Sequence, residues 1–565
     1  MAAPGPVADG SAALAEGRWE QARAAFEAAL ARGEAETGQA CFGLAMALWW
    51  LGENHACVDR YSRAYALFRA SGDVEGAARC AVWLAITYKS NFANLAAANG
   101  WLVRAERLLE PLDPGPMHGW VRVARAYRMT DLDEAEELTG WAVQMARAAR
   151  DVDLELVASS QLGLIRVGKG LTDAGFALID EAMAASLAGD RLTFDTVVFA
   201  CCDMLSACEL VSDIERAAQW CQVADDFVAR YGCPFLYAEC RIYYGSVLAA
   251  TGRWDDADRE LNAGARITEG ACPGLHSRAL IRLAALRLRQ GRLEEAEGLL
   301  EAIGGDVGAE TEAWVLAAAL SLARGDALGA ARRLEQRLRH LQEHRLQLGA
   351  ALDLLVDAYL DAGQLDPAAA AAARLAATAA AGTSRQLAAL AAYARGRVAL
   401  ARGDGAAVAD LEAALTLWSS LELPLEAARA RFELARALAA SEPETAIEHA
   451  RHALAGFESL GAARDADRAA AFLRSAGVVP RIGPKGTGTL TVREREVLVL
   501  VGAGLSNPEI AVRLHISRKT ASHHVSSILT KLGLRNRAEV AAHLGRQMGQ
   551  LPDANRPGGP ARSQS

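Results

Sequence analysis

The hexapeptide Gly252-Arg253-Trp254-Asp255-Asp256-Ala257 decides the fold of most of this chain, because near-copies of it recur along residues 11–460. Each copy is a glycine, a bulky side chain and an alanine four or five positions after the glycine, between apolar helical stretches. A glycine suits the turn between antiparallel helices because it adopts a left-handed backbone, and alanine lets the helices approach closely. The other copies are 17–22, 291–296 and 363–368, and Gly52, Gly325 and Gly403 are further turn glycines.

The spacing of these turns indicates a repeat. Successive glycines from 252 to 403 lie 39, 34, 38 and 40 residues apart. Paired helices at this period resemble tetratricopeptide repeats. Residues 91–245 carry the pattern only in fragments such as 170–174, so a plain irregular α-solenoid is the alternative. Either arrangement predicts a superhelix with a concave face, which we expect to bind a protein, peptide or small-molecule effector.

The C-terminal part of the chain predicts four short helices between residues 490 and 550. Two stretches read as capping boxes, in which a Ser or Thr and a Glu three residues later cap a helix start. Gly504 and Gly533 stand where the first and third helices are expected to end. The start signals are Thr491–Glu494, Ser506–Glu509, Ser517 and Asn536–Glu539.

Apolar spacing divides these helices into a buried face and a polar face. The predicted core comprises Val497, Leu498, Leu500, Val501, Ile510, Ala511, Leu514, Ala521, Val525, Ile528, Leu529 and Leu532. The opposite face of the third helix bears no acidic residue. It carries hydrogen-bond donors and small polar groups, as reading of the DNA major groove requires.

Together these stretches resemble the LuxR/FixJ helix-turn-helix family. The resemblance covers about residues 490–545 and rests on 490–498, 504–511, 516–520, 524–525 and 531–537. It implies that the third helix enters the major groove of promoter DNA. It implies base contacts for Ser522, His523 and Ser526, base or phosphate contacts for Arg518, Lys519 and Thr520, and phosphate contacts for Lys531, Arg535 and Arg537. His524 is expected to be structural or phosphate-facing.

Two features qualify this resemblance. The family commonly has valine at the position of Ala521 and a basic residue at that of Ser522, so the DNA sequence that is read is not transferable from relatives. The fourth helix offers an apolar strip, Val540, Ala541 and Leu544, as a tentative dimer contact. A dimer would read two half-sites about one helical turn apart.

Charge separates the same regions. Residues 485–550 carry a net charge of +6, whereas residues 1–484 carry −16. A basic module on an acidic body fits binding to polyanionic DNA. We therefore predict an all-α chain: a repeat region over 11–476, a linker over 477–489, the DNA-binding domain over 490–550 and a disordered tail over 551–565.

Several other classes of function are disfavoured. Residues 1–10 lack the pattern of a signal peptide, and the apolar run 41–51 is too short to cross a bilayer. We therefore expect a cytoplasmic protein, which is associated with the nucleoid when it is bound to DNA. The ten cysteines form no C-x-x-C pair and read as core residues, with a redox switch as the alternative. Residues 163–170 resemble a phosphate-binding loop but lack its final Ser or Thr. His449 and His452 lack a third metal ligand.

The sequence therefore predicts a transcriptional regulator and no enzyme, with no cofactor and no metal. Its predicted partners are double-stranded promoter DNA, an effector on the solenoid and a second copy of the chain. The alternative is an interaction scaffold whose C-terminal domain has lost its affinity for DNA. Its only support is that Ser522 stands where the family commonly has a basic residue. The target promoters, the sign of regulation and the effector are left open.

Overall fold

The computed structural model describes residues 5–31, 37–127, 129, 131–189, 191–303, 311–338, 345–380, 384–478, 497–498, 500–502, 504–514, 518–531 and 539–540. All regular secondary structure in these residues is helical, and no strand occurs among them. The chain divides into two compact units, Met1–Phe472 and Leu473–Ser565. The predicted all-α class is confirmed.

The first unit is a succession of helices joined by short turns. Its first half comprises α1 (Pro6–Ala15), α2 (Trp19–Ala31), α3 (Gly38–Trp50), α4 (Asn54–Ser71), α5 (Val74–Ser90), α6 (Leu95–Leu109), α7 (Pro116–Ala126), α8 (Leu132–Ala149), α9 (Val152–Gly168), α10 (Thr172–Ala188), α11 (Asp195–Val211), α12 (Ile214–Tyr231) and α13 (Pro234–Ala250). Its second half comprises α14 (Trp254–Thr268), α15 (Pro273–Arg289), α16 (Leu293–Ala302), α17 (Thr311–Ala323), α18 (Ala327–Leu338), α19 (Arg345–Asp361), α20 (Leu365–Ala380), α21 (Arg385–Arg402), α22 (Ala407–Ser420), α23 (Pro424–Leu438), α24 (Pro443–Leu460) and α25 (Ala463–Ser475).

The recurring hexapeptide forms the turn that was predicted from it. Gly252 has a left-handed backbone with φ of +85°, and the amide of Arg253 donates to the carbonyl oxygen of Leu248 at 2.9 Å, which closes the end of α13. Trp254 then begins α14, and Ala257 is fully buried where the helices meet. The same positive φ occurs at the other predicted turn glycines, Gly17, Gly52, Gly291, Gly325, Gly363 and Gly403.

The helix pairs continue through residues 91–245, where the sequence pattern was fragmentary. The reason is that Arg150 and Ser212 occupy the left-handed position at the ends of α8 and α11, with φ of 56° and 58°. A search for turn glycines misses such ends, since non-glycine residues rarely adopt this conformation. The region is a tetratricopeptide-like solenoid that varies its turn residues.

Two layers follow from the helix pairing. Each helix packs against the next in sequence, and the odd-numbered helices also pack against one another, as α5 does with α7, α9 with α11 and α11 with α13. The odd-numbered helices therefore form the inner layer of the superhelix, and the even-numbered helices cover them.

The last helices of the first superhelical turn contact its first helices. The indole Nε1 of Trp19 donates to the carbonyl oxygen of Tyr231 at 2.6 Å. Asn54 Nδ2 donates to the carbonyl oxygen of Ala271 at 2.8 Å, and Asn54 Oδ1 accepts from Asn91 Nδ2 at 2.8 Å. The amide of Gly274 donates to the carbonyl oxygen of Asn91 at 2.9 Å. These bonds tie α2–α5 to α12–α15, so the concave side of this turn is closed off.

Helices one superhelical turn apart also pack together in the second half of the solenoid. Trp254 and Leu283 share a buried cluster with Leu425, Phe432 and Phe457, which joins α14 and α15 to α23 and α24. The solenoid is consequently wound on itself, and the long open groove that a concave face suggested is replaced, in the first turn, by an interior filled with side chains.

Other sequence interpretations are also resolved. Gly163 and Gly168 lie in α9 and Gly170 in the following turn, so the stretch that resembled a phosphate-binding loop is a helix end. Nine of the ten cysteines are buried and Cys202 is partly buried, which confirms them as core residues. No helix in the described ranges combines the length and the apolar character needed to span a bilayer.

The closing contacts predict a selective effect of Asn54→Ala. The substitution leaves the carbonyl of Ala271 and the buried side-chain amide of Asn91 without their partner, and it should lower the free energy of unfolding by ~1–3 kcal/mol. Urea denaturation of the full chain measures this change, and hydrogen exchange should show faster opening of α4 and α15.

Asn262→Ala provides the matched control. Asn262 Nδ2 donates only to the carbonyl oxygen of Asp258 one helical turn away, at 2.7 Å. This variant should change the unfolding free energy by less than ~0.5 kcal/mol. Equal losses in the two variants would contradict the structural importance of the closing contacts.

Candidate functional site

The described part of the C-terminal unit contains a helix, a turn and two further helices. Residues 497–498 and 500–502 are helical, and they are followed by α26 (Asn507–Arg513) and α27 (Arg518–Lys531). Gly504 has φ of +86°, and the amide of Leu505 donates to the carbonyl oxygen of Leu500 at 3.1 Å, which ends the first helix. The predicted stop at Gly504 is confirmed.

The predicted start of α26 also has its capping contacts. Glu509 Oε2 accepts from the backbone amide of Ser506 at 2.7 Å and from its hydroxyl at 2.6 Å. Pro508 stands in the first turn, where the missing N–H removes no helical hydrogen bond. The proposed caps at Thr491, Ser517 and Asn536, and the stop at Gly533, lie outside the described residues.

A small core holds these helices together. Its fully buried members include Val497 and Val501 from the first helix, Ile510 from α26, and Ala521 and Ile528 from α27. Every predicted core residue that the structure describes belongs to this cluster or packs against it; Leu532 lies outside the description.

Val540 departs from its predicted role. Its side chain is fully buried in the same core, so it stabilises the domain itself, in contrast to the expectation that it faces a second copy of the chain. Ala541 and Leu544, the other members of that strip, lie outside the described residues.

The buried stripe on α27 determines which of its faces points away from the core. Ala521, Val525 and Ile528 recur at helical spacing and are buried, whereas Arg518 and Ser522 are exposed. His524 is half-buried beside the stripe, as expected for a structural or backbone-contacting residue. No acidic residue occurs in the helix. A helix without acidic residues, with Arg518 and Ser522 exposed, suits contact with a polyanion.

The remaining predicted DNA contacts are less fully described. Lys519, Thr520, His523, Ser526 and Lys531 lie on the α27 backbone, but their side chains are outside the description. Arg535 and Arg537 are outside it altogether. Their contacts stay predictions.

The solenoid holds a second feature, which the sequence interpretation did not locate. A cavity of about 270 Å³ lies within its closed first turn. Helices α3, α5, α11 and α13 and neighbouring elements contribute its walls. Its aromatic lining comprises Trp49, Trp83, Tyr127, Phe199, Phe235 and Tyr243. No sequence pattern pointed to this cavity, because its aromatic residues are spread over nearly two hundred positions.

Charged groups line the same cavity. Arg278 Nη1 bonds Glu239 Oε1 at 2.8 Å, and Tyr127 donates its hydroxyl to Asp203 Oδ2 at 2.8 Å. Lys89 Nζ donates to the carbonyl oxygen of Tyr127 at 2.8 Å. Asp195 also lines the cavity and is only 4% exposed.

Burial changes the acidity of these carboxyl groups. Loss of hydration raises the pKa of Asp195 to about 7, and the charge of Asp153 adds to this effect. Burial raises the pKa of Asp203 to about 7 as well, although the Tyr127 hydroxyl bond partly opposes it. Burial also raises the pKa of Glu239, against the opposing charge of Arg278. Asp195 and Asp203 therefore gain or lose a proton near neutral pH.

Metal-ligating groups are not gathered in the described ranges. No set of three or more His, Cys, Asp or Glu side chains within them is arranged to hold an ion. His449 lies on α24, where burial and the nearby Arg431 lower its pKa.

Comparison with known proteins identifies the C-terminal segment. Residues 488–544 match the family model described as bacterial regulatory proteins, luxR family. This segment is therefore a LuxR-family domain, as its motifs had predicted.

Individual relatives match the same part of the chain. A protein of Mycobacterium bovis named as an HTH-type transcriptional regulator is 37% identical over 87 residues, which are 15% of this chain and 10% of that protein. The transcriptional regulatory protein LnrK of Bacillus subtilis is 48% identical over 54 residues, 10% of this chain and 24% of LnrK. The activator SolR of Ralstonia solanacearum is 40% identical over 68 residues, 12% of this chain and 29% of SolR. The chain thus spans less than a third of each relative's length.

Two solved structures resemble the solenoid weakly. The APC/C hetero-tetramer Cut9-Hcn1 has 14% sequence identity and a TM-score of 0.36, over 82% of this chain and 96% of that chain. Yeast Tom70 has 13% identity and a TM-score of 0.32, over 78% and 97% of the two chains. The repeat character of the solenoid rests on its own helix pairing.

The buried acid Asp195 predicts a pH-dependent stability of the solenoid. Its pKa is about 7 when folded and 3.8 in the unfolded reference. Between these values the folded chain retains a proton that the unfolded chain releases, so rising pH favours unfolding. The titratable groups that face Asp195 are Asp153, Tyr61 and Cys233.

Asp195→Asn should remove this contribution. The stability of the variant relative to the natural chain should rise as the pH increases from about 4 to about 7. Urea denaturation across that range measures the difference. Asp59→Asn, at an exposed position of α4, is the control. Its difference in unfolding free energy from the natural chain should not change with pH. A flat difference for Asp195→Asn would contradict the assigned acidity.

Proposed function

We propose that this chain is a transcriptional regulator whose solenoid, residues 11–476, controls a LuxR-type DNA-binding domain, residues 490–550, through the linker 477–489. The observation that carries the proposal is the family match of residues 488–544 together with the two helices α26 and α27 and the core that they share. The relatives named above are regulators of transcription by their names, and the proposed role requires no catalytic step by this chain.

The third helix of the domain, α27, is the reading element in this proposal. Its N-terminal half enters the major groove, where Ser522, His523 and Ser526 contact base edges. Arg518, Lys519 and Thr520 contact bases or phosphates at its start, and Lys531, Arg535 and Arg537 contact phosphates. The exposure of Arg518 and Ser522 in the first half of α27 supports this orientation.

Charge supports the same role. The net +6 of residues 485–550 attracts the DNA backbone, while the net −16 of residues 1–484 repels it. Binding through phosphate contacts releases counterions, so the affinity must fall as salt increases. The acidic solenoid thereby restricts DNA contact to the C-terminal domain.

The solenoid is the sensory part, and its effector is taken up by the first turn. Pairing of two copies through Ala541 and Leu544 would set two α27 helices about one turn of DNA apart. Such a regulator would be located in the cytoplasm and would bind DNA at the nucleoid.

Arg518→Ala and Lys519→Ala test the assigned DNA face. Each should weaken binding of the full chain to a target duplex and reduce the slope of log affinity against log salt by ~0.9, the value for one lost phosphate contact. His523→Ala should instead relax the sequence preference. Genomic mapping of binding sites supplies the duplex, and gel shifts at several salt concentrations give the slopes.

Arg374→Ala is the matched control, because it removes an exposed arginine from α20 of the solenoid. Its affinity and salt slope should equal those of the natural chain. Tight binding of a protein partner, with no salt-sensitive DNA binding and no change of transcripts in Lys519→Ala, would favour an interaction scaffold instead.

A further inference from the structure

We propose that the cavity in the first turn of the solenoid binds a small uncharged molecule that contains an aromatic ring. The regulatory meaning of this site rests on the function proposed above, whereas the binding itself does not.

The size of the cavity suits one small molecule. Its volume is about 270 Å³. Protein interiors are closely packed, and voids larger than a water molecule are few in each domain. A void of roughly 150 Å³ with apolar walls is already large enough to bind benzene. The space in the first turn is therefore larger than the gaps that ordinary packing leaves.

A wider cleft leads to the cavity. The cleft has a volume of about 510 Å³ and opens beside α9, α11 and α15. The two spaces have five lining residues in common, namely Tyr127, Leu164, Ser206, Tyr243 and Arg278. Ser206 is half-buried and has the smallest side chain of the five, so a ligand can pass beside it.

Aromatic rings form much of the wall. The ring centroids of Trp49 and Phe235 lie 5.5 Å apart. Those of Phe199 lie 6.3 Å from Trp83 and 6.0 Å from Tyr127. Rings at these separations attract one another in offset and edge-to-face arrangements, and a further ring can join such a cluster. The wall therefore favours a ligand with a flat apolar body.

The two cations on the lining are already engaged within the chain. Arg278 Nη1 lies 2.8 Å from Glu239 Oε1 in an ion pair. Lys89 Nζ donates to the carbonyl oxygen of Tyr127 at 2.8 Å. An anionic ligand would have to compete with these partners for the two positive charges.

The two buried aspartates are also held by the chain. Asp203 Oδ2 accepts from the Tyr127 hydroxyl at 2.8 Å, and Asp195 has hydrogen bonds with Trp50 and Thr193. Burial raises the pKa of each carboxyl group to about 7, so neither holds a full negative charge at neutral pH. A cationic ligand would consequently find little negative charge to pair with.

An uncharged ring is the ligand that fits both the walls and the charges. A charged ligand gives up its hydration on entering a buried site, and this loss is costly unless an opposite charge replaces the water. The opposite charges of the lining are engaged or partly neutralised. An uncharged aromatic molecule gives up little hydration and gains contact with the rings.

Binding of three matched probes to the full chain tests the charge. The probes 2-phenylethanol, phenethylamine and phenylacetate share the ring and differ in the charge of the end group. Tryptophan fluorescence, to which Trp49 and Trp83 contribute, reports binding, and calorimetry gives the affinity. At neutral pH 2-phenylethanol should bind at least about tenfold more tightly than either charged probe. Equal or tighter binding of a charged probe, or no saturable binding of the alcohol, would overturn the proposal.

Three variants test the location. Ser206→Phe closes the passage from the cleft and should abolish binding of 2-phenylethanol, whereas Ser206→Ala is the matched control and should retain it. Ala85→Leu reduces the cavity from α5 and should also weaken binding. Circular dichroism establishes that each variant is folded. Unchanged binding in folded Ser206→Phe and Ala85→Leu, or equal loss in Ser206→Ala, would contradict the assigned site, and the comparison of probes on the natural chain requires no variant.

Gel shifts on the same preparations separate this inference from the proposed function. Binding of 2-phenylethanol without DNA binding would leave the site standing and refute the regulatory role. DNA binding without binding of the alcohol would refute the ligand site alone.

Discussion

The return of the superhelix to its own beginning is the constraint on which the solenoid depends. Trp19 and Asn54 donate hydrogen bonds to Tyr231 and Ala271, 212 and 217 residues later in the chain. Bringing such distant segments together costs chain entropy, and these few bonds cannot offset it alone. The compensation comes from one large core, which joins α1–α4 to α10–α13 and buries Trp50, Phe194 and Phe227. Closure and core formation are therefore a single event.

The same closure creates the cavity and explains its chemistry. Inner helices from both ends of the turn supply its walls, so the residues that line it are neighbours only in the closed state. Several charges of the solenoid are paired, as Arg282 is with Glu209 at 2.9 Å and Arg429 with Asp465 at 2.8 Å. Other buried acids are held by uncharged donors: Asp195 has hydrogen bonds with Trp50 and Thr193, and Asp203 accepts from the Tyr127 hydroxyl.

The C-terminal domain is organised differently, by interactions between residues close in sequence. Glu509 caps α26 through Ser506, Gly504 ends the preceding helix, and the stripe of Ala521, Val525 and Ile528 forms the core. Local rules of this kind were sufficient to predict the described core of the domain and the exposure of Ser522 on α27. They were insufficient for Val540, because an apolar residue on a short helix suits a dimer contact and a small core equally well, and only the packing distinguishes them.

The sequence by itself determined the elements that local chemistry controls: the glycine turns of the repeats, the Ser506–Glu509 cap and the buried stripe of the DNA-binding domain, the buried cysteines and the division of charge. The tertiary structure alone decided where α8 and α11 end without glycine, how the superhelix closes, and that Asp195 lies beside Trp49 on the lining of one cavity. The physical reason is the range of the interactions. Helix propensity, capping and left-handed turns depend on a few neighbouring residues, whereas closure depends on aromatic packing and hydrogen bonds between segments more than two hundred residues apart.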